Sequence, residues 1–191
     1  MRVVVVPPNA GWPAEFTTEA GCLLEALAKN VVNIHHIGST AIPGIFAKPV
    51  IDILLVVRDL RILDDSPPVI ERLGYEIMGE FGIPGRRYFR KDSAEGVRTH
   101  QVHAFQVGSA EIDRHLAFRD YMRSNLSASA SYSNLKRQLA AQYPDDLSAY
   151  MDGKDAFIKE HEARALRWAR QERRLTPRST GPATAIAVIP G

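Results

Sequence analysis

The sequence predicts an α+β fold: a mixed β-sheet with a C-terminal helical part packed on it. Three observations predict it. Two apolar runs, Val31–Ile37 and Val50–Val57, have strand character and flank a turn-rich segment. Gly79, Gly82, Gly85 and Gly96 then divide Tyr75–Val107 into short extended pieces, the pattern of antiparallel strands joined by turns. From Ala110 onward the texture is helical, and strands followed by a run of helices point to segregated layers.

Arg2–Val6 reads as a short strand stopped by Pro7-Pro8. Trp12–Lys29 is helical, with Leu23, Leu24 and Leu27 at helical spacing. Gly38 ends the strand Val31–Ile37. Val50–Val57, VIDILLVV, is apolar except for Asp52, which suits a central strand buried on both faces. A helix is expected across Val69–Leu73, after Pro67-Pro68 and before Gly74. Tyr75–Glu80, Arg86–Lys91 and Val97–Val107 are the hairpin strands. Ala110–Asn125, Tyr132–Gln142 and Leu147–Arg174 are the expected helices, separated by a Ser/Ala-rich linker and by Pro144. The chain thus divides into a core over 1–109, a helical part over 110–174 and a tail over 175–191. The tail's Pro, Thr and Gly favour mobility, while its AIAVI run is apolar enough to add an edge strand.

With 191 residues, 45% of them hydrophobic, the chain can bury a core without metal or disulfide staples. A single cysteine, Cys22, excludes an internal disulfide framework; among Gly21, Leu23 and Leu24 it reads as a buried, inert thiol. The net charge of +2, with cations spread along the chain, argues against a nucleic-acid partner. Arg164, Arg167, Arg170, Arg173 and Arg174 read as a solvated helix face. No run approaches the roughly 20 apolar residues of a membrane span, and VVVVPP is too short for a signal-peptide core. The expected setting is the cytoplasm, with a small-molecule substrate and no membrane partner; a homo-oligomer stays open.

Chemistry concentrates in HHIGSTAIPGIFAKPVID, residues 35–52. A strand ending in Gly38-Ser39-Thr40 can present backbone N–H groups and two hydroxyls to a phosphate or carboxylate, or can simply reverse the chain. Asp52 also has two readings. A carboxylate inside an apolar strand needs a partner, and that partner is either a hard cation such as Mg²⁺ or a nearby ammonium such as Lys48. Lys48 stands between turn and acid, so it can reach the same ligand. His100 and His103 point to opposite faces of their strand, so a single cleft takes one of them. His103 is the candidate, as a site residue or a general base. Arg119, Lys136 and Lys154 supply cations from the helical part, and Arg86, Arg87 and Lys91 are expected as a basic rim.

The run HIGSTAIPGIFAKPVIDI, with VRTHQVHAF, AFRDYMRS, YSNLKRQLAAQYPDD and AYMDGKDAFI following in order, resembles the GrpB family. That family belongs to the DNA polymerase beta-like nucleotidyltransferase superfamily, and the resemblance covers about residues 1–170. It implies a nucleotidyltransferase-like core in which Gly38 and Ser39 grip the phosphates of ATP or another nucleotide. Asp52 would then be the first carboxylate for Mg²⁺. The superfamily places a second carboxylate two residues further on, where this chain has Leu54, and Gln101 stands where the family usually has a histidine. The expected activity is transfer of a nucleotidyl group, AMP in the case of ATP, to a small acceptor. The alternatives are a nucleotide- or anion-binding module without transfer, or a ligase- or hydrolase-type reaction on an anionic metabolite.

Overall fold

The computed structural model describes residues 2–175 and 188–189. Helix α1 (Trp12–Leu27) leads into strand β1 (Val31–Ile37), a 3-10 turn (Ser39–Ala41) and strand β2 (Ile51–Val57). Two short helices, α2 (Leu60–Asp64) and α3 (Pro67–Arg72), precede strands β3 (Glu76–Ile77), β4 (Arg86–Asp92) and β5 (Arg98–Gln106). Helices α4 (Ala110–Ser124), α5 (Leu126–Gln142) and α6 (Leu147–Leu175) follow, then strand β6 (Val188–Ile189). The described strands form one mixed sheet in the order β3-β4-β5-β2-β1-β6. β2 runs antiparallel to β1 and parallel to β5. The α+β class expected from the sequence is the class observed, with the C-terminal helices packed on the sheet.

Alternation along β2 and β5 sorts their side chains into two layers. Ile51, Ile53, Leu55 and Val57 join Val102 and Ala104 against Phe16, Ala20, Leu23 and Leu27 of α1. Leu54 and Val56 join Phe105 on the other face, where Ile112 and Leu116 of α4 cover them. Both faces are covered, which is why β2 carries an almost unbroken apolar run. Asp52 belongs by register to the face under α4–α6.

Four local expectations are corrected. Arg2–Val6 adds no sheet strand: Val6 makes an isolated bridge to Ala47, and the Val3 amide donates to the Pro144 carbonyl at 2.7 Å. Its valines instead reach the α5–α6 corner, where Val3 packs with Leu139 and Tyr150. Cys22 is exposed, because the turn that buries Ala20 and Leu23 carries residue 22 to the solvent side of α1. The Ser/Ala stretch 127–131 is helical rather than a linker, since Asn125 caps α5 by accepting from the Ala128 amide and alanine favours helix. Helix α2, missed in the sequence, starts at an Asp59 cap that accepts from the Arg61 amide. In the tail, Val188 and Ile189 pair in parallel with Ile34 and His35 at the sheet edge; the rest of it lies outside the described residues. No described helix is long and apolar enough to cross a membrane.

Candidate functional site

The turn and the acid of the 35–52 segment are built against each other. Pairing of β1 with β2 sets Ile37 opposite Asp52, and Gly38 follows at φ 71°. A Cβ on Gly38 would stand 2.2 Å from Asp52 Oδ2 and 2.8 Å from its Cγ. Glycine is therefore required twice, by the left-handed backbone and by the carboxylate pressed against it. Ser39 opens onto the same cleft, and the Tyr132 hydroxyl reaches it from α5. Thr40, expected as a phosphate donor, is turned away. Its hydroxyl donates to the Val50 carbonyl at 3.2 Å and lies 2.9 Å from His36 Nε2, so it is spent inside the fold.

The cleft occupies about 330 Å³ between the sheet and the helical part. On the sheet wall, Gln101 of β5 pairs with Asp52 and His103 pairs with Leu54, which puts all four on one face. The Asp52 side chain is 25% exposed, so its charge is partly hydrated and the cost of burial is smaller than the apolar run suggests. His103 Nε2 stands 3.8 Å from Asp52 Oδ1. Lys48 lines the cleft without capping the acid.

His103 is fixed from behind. Arg86 Nη1 lies 3.2 Å from His103 Nδ1, and a guanidinium can only donate. Nδ1 therefore accepts, and the ring proton sits on Nε2, on the side of Asp52. In this arrangement Nε2 faces Asp52 at 3.8 Å, beyond hydrogen-bond reach. His100 lies on the opposite face, 4.0 Å from Glu19 Oε2.

Leu54 is fully buried with Ile37, Val56 and Phe105, and no acid takes its place. Among the described residues no three His, Cys, Asp or Glu side chains converge as a metal site. A two-metal centre does not fit this donor set. A single hard cation would have Asp52 as its carboxylate, with Gln101 on the same wall.

The helical wall carries the cations. Lys136 of α5 is 1% exposed, and its Nζ has no hydrogen-bond partner. It rests over the Tyr132 ring at 4.4 Å. Lys154 of α6 repeats the arrangement over Tyr150 at 4.3 Å, touching only the Met151 sulfur at 3.2 Å. Burial, then the charge of Lys154, pushes the Lys136 ammonium down to about 7. Burial, then Lys48, pushes Lys154 down to about 8, with Asp52 opposing. Lys48 is also lowered, by burial against the pull of Asp52. Burial holds His115 neutral, down to about 2. The helical wall therefore presents two buried lysines, Lys136 and Lys154, that an arriving anion would recharge, with Lys48 beside them from the segment before β2.

Of the residues expected from the sequence, Gly38, Ser39, Lys48, Asp52, His103 and Lys136 come together in this cleft. Arg119 does not line it. Its Nη1 donates to the His36 carbonyl at 3.0 Å and its Nε to Asp120, so it braces the end of β1 and acts only through the position of the turn. The basic rim is also absent: Arg86 holds His103, Arg87 pairs with Asp64, and Lys91 pairs with Glu19. Sequence reasoning missed Tyr132, Tyr150 and His115. The first two carried a signal, a Tyr-x-x-x-Lys spacing that occurs at 132/136 and again at 150/154 and stacks each pair on one helix face.

Fold and site together define an α+β protein with a lysine-lined cleft between its sheet and its helical layer. The chain belongs to the GrpB family, whose profile, described as GrpB protein, matches residues 2–164. It is similar to the crystal structure of conserved protein GrpB from Enterococcus faecalis, with 44% identity and a TM-score of 0.83. That likeness covers 87% of this chain and 99% of the other. It is 42% identical over 167 residues to YqkA of Bacillus subtilis (strain 168), covering 87% of this chain but 48% of YqkA. The chain thus spans about half the length of that relative. A dephospho-CoA kinase of Mycolicibacterium paratuberculosis is 28% identical over 190 residues, covering 87% of this chain and 47% of the kinase.

Proposed function

We propose that the chain is a nucleotidyltransferase-like enzyme that binds ATP or another nucleotide in the cleft and transfers a nucleotidyl group to a small acceptor. One observation carries the reading: the Gly38–Ser39 turn is locked against Asp52 in a cleft that also holds Lys48, Lys136 and Lys154, for which no salt bridge is found among the described residues. The turn amides and the Ser39 hydroxyl take phosphate oxygens, while Lys136 and Lys154 meet the charge of the β and γ phosphates. Mg²⁺ held by Asp52 would neutralise the phosphate oxygens further. The acceptor atom bonds to the α-phosphorus as the α–β bridging bond breaks, and the bond's electrons leave with pyrophosphate. Lys136 and Lys154 stabilise that growing charge, and the acceptor's proton passes to water. A cytoplasmic setting, supplied with ATP and Mg²⁺, goes with this reading.

Leu54 favours a second reading, a nucleotide- or anion-binding module without transfer, because a fully buried leucine stands where a second metal carboxylate would. Incubation with α-phosphate-labelled ATP, Mg²⁺ or Mn²⁺ and a metabolite pool separates the two. The pool should include dephospho-CoA, in view of the kinase relative. Transfer predicts pyrophosphate release with a labelled product, reduced at least about 100-fold in Asp52→Ala. Nucleotide binding without turnover selects the binding module, and a protein that binds no nucleotide contradicts both transfer and a nucleotide-binding module.

A further inference from the structure

The two ends of the cleft differ in chemistry. Lys154, Ile158 and Glu162 all line it and follow one another at intervals of four on α6, so they share one face of that helix. A helix rises about 1.5 Å per residue, which sets Glu162 about 12 Å along the axis from Lys154. That separation is comparable to the span of a nucleotide from its outer phosphates to its base. The lysine end suits the phosphates, so the Glu162 end lies where a base would reach.

The walls at that end are apolar. Ile158 of α6 and Phe118 of α4 belong to one hydrophobic cluster, and both line the cleft while only half-buried. The Phe118 ring is held edge-on against Tyr132, with centroids 6.0 Å apart. Two flat or branched apolar surfaces from facing helices suit a planar ring.

Glu162 is the acceptor beside them. Arg114 Nη1 donates to Glu162 Oε1, and the remaining Arg114 contacts go to Glu111 and His115, so that guanidinium is spent within the protein. An ionised carboxylate offers about four acceptor positions and no donor. Arg114 engages one of its oxygens, and the side chain keeps 20% of its surface open. Glu162 can therefore still accept from a ligand.

An acceptor-only group beside apolar walls selects a ring whose edge carries donors. Guanine presents two neighbouring N–H groups on one edge, N1–H and the 2-amino group. The 6-amino group of adenine is flanked by ring nitrogens whose lone pairs a carboxylate repels. The ring N–H of uracil lies between two carbonyl oxygens.

We propose that the nucleotide taken by this cleft is a guanine nucleotide, its ring between Phe118 and Ile158 and its N1–H and 2-amino group on the Glu162 carboxylate. The assignment rests on the nucleotide reading of the cleft and adds the base to it.

The test titrates the full chain with GTP, ITP and ATP in the presence of Mg²⁺. All three carry the same triphosphate, and ITP differs from GTP only in lacking the 2-amino group, so the affinity ratios report the base alone. GTP is expected to bind about tenfold or more tightly than ITP or ATP, and that preference should fall to near parity in Glu162→Leu. Should Glu162→Leu fold poorly, Glu162→Gln keeps the side-chain length with a single acceptor oxygen and should also reduce the preference. Equal affinity of the wild-type protein for GTP and ITP would overturn the base assignment and leave the nucleotide reading standing. A preference for GTP undiminished by either substitution would do the same. Binding of none of the three would remove both.

Discussion

Alanine at position 38 is expected to disable the cleft, lowering nucleotide affinity or transfer by about 100-fold or more. The new Cβ would meet Asp52 Oδ2 at 2.2 Å, far inside contact distance, at a backbone φ of 71° that disfavours any side chain. Either the turn must swing away from β2 or the carboxylate must leave its place, and each loses the shared geometry of Ser39 and Asp52. The backbone alone costs about 1–3 kcal/mol of stability. Gly96→Ala separates the two effects. Gly96 has φ 74° but no atom within 4 Å of its would-be Cβ, so that variant should lose stability while the cleft keeps its ligand. Urea midpoints give the first quantity for both variants, and nucleotide titration gives the second.

Lys136→Met is expected to act in opposite directions on stability and on binding. In the ligand-free protein the Lys136 ammonium is lowered from 10.5 to about 7, because burial removes its water and Lys154 repels it. Below about pH 7 the folded and unfolded chains both carry the proton, and the folded state bears the full cost of a buried charge. Between about 7 and 10.5 the folded amine is neutral while the unfolded chain still binds a proton, so stability rises with pH across that window. Lys154 adds a second rise that begins near 8. The methionine variant should therefore be more stable near neutral pH, by on the order of 2 kcal/mol, with a flatter profile. It should also lose most of its affinity for phosphate-bearing ligands. Urea midpoints measured from about pH 6 to about pH 10 test the sign. A wild-type protein that loses stability across this range would refute the account of the buried lysines.

Much of the fold was legible because β1, β2 and the long helices carry clear periodicities, and because a continuous apolar run such as Val50–Val57 has few other homes. Arg2–Val6 has the same composition as a strand, yet its valines find their partners at the α5–α6 corner, a contact no local pattern announces. The site was legible where chemistry and sequence proximity coincide, in Gly38, Ser39, Lys48 and Asp52. It was not legible where three-dimensional partners decide. Thr40 looks like a phosphate donor until Val50 and His36 claim its hydroxyl, and Arg119 looks like a phosphate cation until the His36 carbonyl claims its guanidinium. His103 could have been base or donor from sequence alone; its contact with Arg86, seventeen residues earlier, is one no local pattern announces.

The central claim is that this cleft holds nucleotide phosphates on its buried lysines. Calorimetric titration with ATP and Mg²⁺ near pH 8, repeated in two buffers of different ionisation enthalpy, tests it most directly. The predicted result is binding that draws protons from the buffer, because the arriving phosphates recharge Lys136 and Lys154, with both the binding and the uptake strongly reduced in Lys136→Met. Binding without proton uptake and indifferent to Lys136, or no binding at all, would contradict it.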